Sequence, residues 1–298
     1  EHASCARRPA GRLWGWGEND QGQLGVGFRP PSPLPVFVST PAPVVQLAAA
    51  DPHPCAIDDA GALFCWGANE EGQLAQDDPF TGEGVDRPTP VRVGTGNEWL
   101  VADAGQGHTC AIESPGKLHC WGRNLRGELG LGPGSPGQIR TPQLVAGPAD
   151  WRDVRIGQNS SCGLRQDDTL HCWGGNDFGE QGHGDTTLRE VPTQVGSDAD
   201  WATISTDTFH TCGIKRGGTL HCWGRNFEGQ LALGDTQDRF VPTQVGADAD
   251  WEQVAAGRFH TCATKRDGRV YCAGQNDRGQ LGLGDLETRL TLTPVLAP

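Results

Sequence analysis

Ten of the eleven cysteines form five pairs, each ten residues apart: Cys55/Cys65, Cys110/Cys120, Cys162/Cys172, Cys212/Cys222 and Cys262/Cys272. Thiols so placed can bridge one another, hold zinc, or stay free. His210-x-Cys212 with His221-Cys222, echoed by His108, Cys110, His119 and Cys120, offers the two-His, two-Cys set that a tetrahedral zinc site accepts. A catalytic dithiol would call for C-x-x-C spacing, which no pair has. Which chemistry is available depends on the elements that carry the sulfurs.

Those elements read as short strands. Alternating segments are punctuated by Gly and Pro, and no stretch sustains a 3.6-residue apolar period. Each cysteine pair brackets a three-residue loop: Asp59-Ala60-Gly61, Ser114-Pro115-Gly116, Gln166-Asp167-Asp168, Arg216-Gly217-Gly218 and Arg266-Asp267-Gly268. Glycine in third place suits a type I turn followed by a left-handed residue, and Asp tolerates that conformation too. Counting back from the loop, Lys215 and Thr219 close the hairpin, Ile214 faces Leu220, and Cys212 faces Cys222 in a non-hydrogen-bonded pair. Such pairs bring Cα atoms to about 4.5 Å, within reach of a disulfide. Alternation sends His221 to the face opposite Cys222, which argues against zinc. The histidine set is also incomplete, because Ser160 and Tyr271 replace it in two units. A bridge in every complete unit is therefore the expectation, each stabilising by roughly 2–3 kcal/mol. Cys5 faces Gly15 in the same register, so it is expected unpaired, or bonded outside the chain.

The hairpin belongs to a longer repeat. Trp16-Gly17, Trp66-Gly67, Trp121-Gly122, Trp173-Gly174, Trp223-Gly224 and the degenerate Ala273-Gly274 follow one another at intervals of 50, 55, 52, 50 and 50. Each is followed by Asn and a G-Q-L turn or a variant, then by a Pro- and Val-rich stretch such as 191–195. Trp99, Trp151, Trp201 and Trp251 open later units. Four short strands per fifty residues predict an all-β β-propeller with one blade per unit. The units run approximately 1–43, 44–97, 98–149, 150–199, 200–249 and 250–298, in a single domain over 1–298, since a repeat cannot bury its apolar face alone.

Composition narrows the partners. The net charge is −13, with no long block of either sign, which argues against nucleic acid. No apolar run approaches the roughly 18 residues needed to span a bilayer, so no membrane insertion is expected. Eleven cysteines fit an oxidising space, so the expected location is secreted, periplasmic or cell-surface. Without an initiating Met or a leader, the chain reads as processed.

GRFHTCATKRDGRVYCAGQNDRGQLGLGD (257–285) resembles the repeat of the regulator of chromosome condensation family, and the likeness runs through the whole chain. It implies a propeller built of repeats of about fifty to sixty residues. Members generally have seven blades, whereas six units are legible here, so six is the expectation and seven the alternative. The first unit is thin, lacking a W-x-x-V-x-x-G segment. Cysteine also stands at two positions where the family usually has apolar or small residues. Family functions are diverse. Nucleotide exchange and chromatin binding would require a basic tail that this chain lacks. The G-W-R-H-T motif of photoreceptive members is replaced by GRFHT, DTFHT and GQGHT.

No catalytic constellation stands out: there is no G-x-S-x-G elbow and no G-x-x-x-x-G-K loop. The expected function is a non-enzymatic protein-recognition or structural display module, with a protein partner and no cofactor or metal. A hydrolase or lyase with its site in the central channel is one alternative, and a component of a cell-surface assembly, which Cys5 would suit, is another. Departures from the repeat are the best pointer to a site. The longest is 75–90, with Asp77, Asp78, Phe80, Glu83 and Asp86 as the candidate binding loop. A second is 132–140. The repeated histidines are expected to satisfy turns or pack between blades, and the SDADW and ADADW segments (197–201, 247–251) to be solvated turns.

Overall fold

The computed structural model describes residues 3–50, 52–76 and 84–295. Five of its strands end on a positive-φ glycine: Gly17, Gly67, Gly174, Gly224 and Gly274. In the unit Glu1–Ile156, the first sheet comprises β1 (Ala3–Arg7), β2 (Leu13–Gly17) and β3 (Ser32–Val38). The second runs β4 (Val44–Ala48), β5 (Cys55–Asp58), β6 (Leu63–Gly67), β7 (Arg87–Arg92), and the third β8 (Trp99–Ala104), β9 (His108–Glu113), β10 (Lys117–Arg123), β11 (Gln138–Leu144). Strand β12 (Trp151–Ile156) opens the fourth sheet.

In the unit Gly157–Pro298, that sheet continues with β13 (Ser160–Arg165), β14 (Leu170–Gly174) and β15 (Arg189–Gln194). The fifth holds β16 (Trp201–Thr206), β17 (His210–Lys215), β18 (Leu220–Gly224), β19 (Arg239–Gln244), and the sixth β20 (Trp251–Ala256), β21 (His260–Lys265), β22 (Val270–Gly274), β23 (Arg289–Pro294). Among the described residues the first sheet has three strands and the others four, so the thin first unit is a thin first blade. Within each unit the strand pairings are antiparallel and connect sequence neighbours.

The hairpin register is the expected one. Cys212 lies opposite Cys222 and Ile214 opposite Leu220, and Lys215 donates its N–H to Thr219. The same register sets Cys55 against Cys65, Cys110 against Cys120, Cys162 against Cys172 and Cys262 against Cys272. The third loop residues Gly61, Gly116, Asp168, Gly218 and Gly268 all have positive φ.

Apolar strand faces meet in layers. Ile57, Leu63, Leu74, Val93, Ala102 and Trp121 form one core; Leu164, Leu170, Val195, Trp201, Ile204 and Trp223 form another. Successive blades are also sewn by hydrogen bonds. The Trp66 indole N–H reaches the Gln23 carbonyl at 3.0 Å, Trp121 reaches Gln73 at 2.8 Å, and Trp223 reaches Glu180 at 3.0 Å. Gly25 and Gly182 make room for this: a Cβ there would fall within 2.8 Å and 2.7 Å of the Trp66 and Trp223 indole nitrogens.

Candidate functional site around Arg225

The cysteine pairs are bonded: Cys55 to Cys65, Cys110 to Cys120, Cys162 to Cys172, Cys212 to Cys222 and Cys262 to Cys272. Their S–S distances are 2.04–2.14 Å, and each Cα–Cα distance is 4.1 Å. All five staples lie inside hairpins, with Cys65, Cys120, Cys172, Cys222 and Cys272 on the returning strands β6, β10, β14, β18 and β22. Those five sulfur-bearing residues are buried, so the bridges belong to the frame of each blade and not to its surface. Cys5 is free and partly buried opposite Gly15, and burial pushes its thiol up to about 11.

Two pairs of histidines have different duties. His53 and His210 are buried at blade seams, with Nε2 at 2.9 Å from Thr109 Oγ1 and 2.7 Å from Thr261 Oγ1. Thr109 donates to the Gln73 carbonyl at 2.8 Å, so its oxygen accepts from His53 Nε2–H. Burial holds His53 and His210 at about 3, as neutral rings. His119 and His221 instead sit edge-on to Trp99 and Trp201, each at 5.6 Å. Neither set converges on the sulfurs, and no group of three or more metal-ligating side chains occurs among the described residues.

The repeat's polar turn residues are equally committed to the fold. Asn19, Asn69, Asn124, Asn226 and Asn276 each accept the N–H five residues on, as Asn176 does from Gln181. Gln23, Gln73, Glu128, Glu180, Gln230 and Gln280 accept the N–H two residues back. SDADW and ADADW are clamps as well as turns: Asp198 and Asp200 hold Lys215 at 2.7 and 3.2 Å, and Asp248 and Asp250 hold Lys265 at 2.7 and 3.0 Å.

Of the expected binding loop, Asp77, Asp78, Phe80 and Glu83 lie outside the described residues. Asp86 accepts the Asn69 N–H at 2.9 Å, as Asp238 accepts that of Asn226 at 2.7 Å, so it serves its turn. Segment 132–140 delivers Gln138 to the Glu70 carbonyl at 2.8 Å, a tether to the preceding blade. Burial raises the Asp103 carboxyl to about 6, against the pull of Arg155. It accepts the Ile156 N–H at 2.8 Å. Ser205 does the same for Ala256 at 2.9 Å, which marks a structural position.

What the repeat does not explain is a cluster within Gly157–Pro298. Arg225 follows the Trp-Gly step of the fifth blade, and its N–H bonds to the Phe209 carbonyl at 2.9 Å across the open end of the β17–β18 hairpin. Gly224, at φ +105°, permits that approach, since a Cβ there would lie 2.5 Å from the same carbonyl oxygen. The Arg225 guanidinium lies 5.0 Å from the Phe209 ring, 5.5 Å from Phe178 and Phe259, and 5.7 Å from Phe227. Phe178 meets Phe209 edge-on at 5.3 Å, Phe209 stacks on Phe259 at 5.7 Å, and Arg258 covers Phe259 at 5.1 Å. Phe227 is 69% exposed, so the cluster opens to solvent.

These residues come from three blades: Phe178 from a G-Q-L-type turn, Phe209 and Phe259 from the positions before a seam histidine, and Phe227 from the turn after Arg225. The one visible signal was Phe in the shared frames DTFHT and GRFHT, where the third blade has GQGHT. Cation–π contacts of this kind stabilise by about 0.5–2 kcal/mol, and an exposed aromatic group around a cation is an established composition for recognition surfaces.

The RCC1-like domain family matches residues 1–246, and the regulator of chromosome condensation (RCC1) repeat matches 251–280 and 267–298. The chain is 30% identical over 191 residues to the ultraviolet-B receptor UVR8 of Arabidopsis thaliana, covering 59% of this chain and 40% of that protein. It is 27% identical over 196 residues to the human E3 ubiquitin-protein ligase HERC2, covering 64% of this chain and 4% of the ligase. The chain thus spans well under two thirds of these relatives. Among solved structures, Prp20p from Saccharomyces cerevisiae superposes with a TM-score of 0.85 at 22% identity, covering 99% of this chain and 75% of that one. Human WBSCR16 superposes with a TM-score of 0.87 at 19% identity, covering 100% and 80%. These likenesses show the fold, an all-β propeller, here with six blades and one disulfide in each but the first. With the match over residues 1–246, the chain belongs to the RCC1-like domain family.

Proposed function

We propose that this chain is an exported, non-enzymatic recognition module that binds a protein partner through the aromatic surface around Arg225, as one propeller domain over 1–298. The observation that carries the reading is the gathering of four phenylalanines, from three blades, around one arginine that the repeat does not require. The solved relatives support a protein partner: Prp20p is described with binding properties to Gsp1p and histones, and yeast RCC1 is described bound to Kap60. Five bridges in one chain support an oxidising compartment, where such bonds persist. The repeated Asn and Gln or Glu of the turns accept backbone N–H groups, which supports contact rather than chemistry as the role of this surface.

Affinity capture from the native envelope and medium tests the reading, using the wild-type chain beside Phe227→Ala. The expected result is a partner retained by wild type and lost with the variant. Identical capture by both chains would remove the surface from the account. Alkylation of the native protein tests export: Cys5 alone should react before reduction.

A further inference from the structure

Arg225 and Arg258 differ from most arginines around them in what they lack. Arg189, Arg239 and Arg289 each hold the aspartate four residues earlier at 2.6–2.9 Å, and Arg216 holds Asp168. Neither Arg225 nor Arg258 has a carboxylate or any side-chain hydrogen bond among the described residues; their side-chain contacts are with phenylalanine rings. A guanidinium meets aromatic rings through its charge and flat faces, while its five N–H donors lie in the plane and stay available. The third blade shows what would otherwise quench them. Arg123 occupies the position of Arg225, and Glu128 the position of Gln230; there the Arg123 Nε lies 3.0 Å from a fully buried Glu128 carboxylate. In the fifth blade the glutamine supplies no charge, and its side-chain nitrogen is buried without a partner.

We infer that the Arg225 surface binds an acidic segment of a partner protein, one that delivers a carboxylate to the Arg225 and Arg258 guanidinium groups and an aromatic side chain to Phe227 and its neighbours. The inference rests on the recognition reading above and adds the chemistry of the partner. Charge complementarity selects the occupant: on a chain of net charge −13, this is a place where two cations stand without an internal counter-ion. An acidic ligand is repelled by the rest of the surface and so directed here. The surrounding rings lower the local dielectric, which strengthens a charge-assisted bidentate bond relative to one in open water.

The test uses two synthetic dodecapeptides, one alternating Glu with Trp and the other alternating Gln with Trp, titrated against the intact chain by fluorescence anisotropy. NMR of the arginine Nε–H signals locates the contact. The Glu peptide should shift the Arg225 signal and bind at least about tenfold tighter than the Gln peptide, the margin of one charge-assisted hydrogen bond. Gln230→Glu should abolish that margin while leaving every aromatic side chain in place, because it installs the counter-ion that Glu128 supplies to Arg123. Arg225→Lys should lose most of it. Equal affinity for both peptides would overturn the acidic partner and leave an apolar recognition surface standing. Shifts confined to other arginines would overturn the site as well. Sedimentation of the chain alone should show a monomer, and an Arg225-dependent dimer would replace the foreign partner with a second copy.

Discussion

Arg123 and Arg225 stand at one place in the repeat, directly after a Trp-Gly step, and each N–H bonds to the residue before a seam histidine, Gly107 or Phe209. Their side chains nevertheless lead to different outcomes. Arg123 turns to Glu128, whose carboxylate is wholly buried and also accepts the Arg126 N–H at 2.6 Å, so turn, charge and donors are satisfied inside one blade. Arg225 has Gln230, which keeps the turn by accepting the Glu228 N–H at 2.9 Å but provides no anion. At Gly107 the Arg123 side chain itself lies where a Cβ would go, within 3.3–3.4 Å of it, whereas the matching residue of the fifth blade is Phe209, whose ring meets the Arg225 guanidinium at 5.0 Å. Two exchanges in a shared geometry, Glu128 for Gln230 and Gly107 for Phe209, thus separate a structural arginine from one available to a ligand.

Acid applies the bluntest pressure to this contrast, because it acts on the seams under both arginines and leaves the guanidinium groups charged. His53 and His210, held at about 3, stay neutral when folded, whereas the unfolded chain binds protons below about 6.5. Their stabilisation is complete above that pH and is lost as pH falls towards 3. Asp103 runs the other way: raised to about 6, it takes its proton in the folded state first, so acidification from about 6 towards 3.8 is stabilising. At pH 4 the two histidines outweigh Asp103, and His108, lowered by the same burial, adds to the loss, so urea unfolding should show lower stability at pH 4 than at pH 7. An unchanged midpoint would contradict the neutral seam histidines.

Glu128→Ala should cost about 3 kcal/mol, since it strands Arg123 and removes a turn acceptor. Gln230→Ala should cost only about 1 kcal/mol, the worth of the turn bond alone. Equal losses in chemical denaturation would erase the distinction between the two blades. Replacing Cys110 and Cys120 by Ser, or Cys212 and Cys222, should lower stability by roughly 2–3 kcal/mol in either case, because the closed loops have equal length. A large difference would mean that the staples, too, are specialised. The smallest effect belongs to Phe227→Ala, expected within about 0.5 kcal/mol of wild type because the ring is mostly exposed, although capture of the partner fails.

The hairpins were open to reading from the sequence because their logic is local. A three-residue loop with Gly or Asp in third place fixes the register, and the register fixes which sulfurs meet, from Cys55 with Cys65 to Cys262 with Cys272. Even the unit with Asp168 in place of glycine keeps Cys162 opposite Cys172. The aromatic surface was hidden for the opposite reason. Phe178, Phe209, Phe227 and Phe259 are separated by up to eighty-one positions (178 to 259), and only the stacking of blades makes them neighbours. Length of insertion was a weaker guide: Asp86, in the longest departure, carries out the same turn duty as Asp238 in a regular unit. The fate of an arginine was less legible still, because it depends on a residue five positions on and on another sixteen positions back across the hairpin. The lysine clamps on Asp198 and Asp248 escaped notice because their partners are seventeen positions apart on segments that each look like plain solvated turns.

Every bridged sulfur has its mate ten positions away on the adjoining strand, so no disulfide joins one blade to another. A unit copied, lost or exchanged by recombination would travel with its oxidation chemistry complete, orphaning no thiol in the blades left behind. The seams, held by apolar packing and hydrogen bonds with no disulfide across them, are then the places where such a chain can be cut and rejoined. Rim residues such as Phe209 and Phe259 can diverge blade by blade while the stapled frame beneath them is inherited whole.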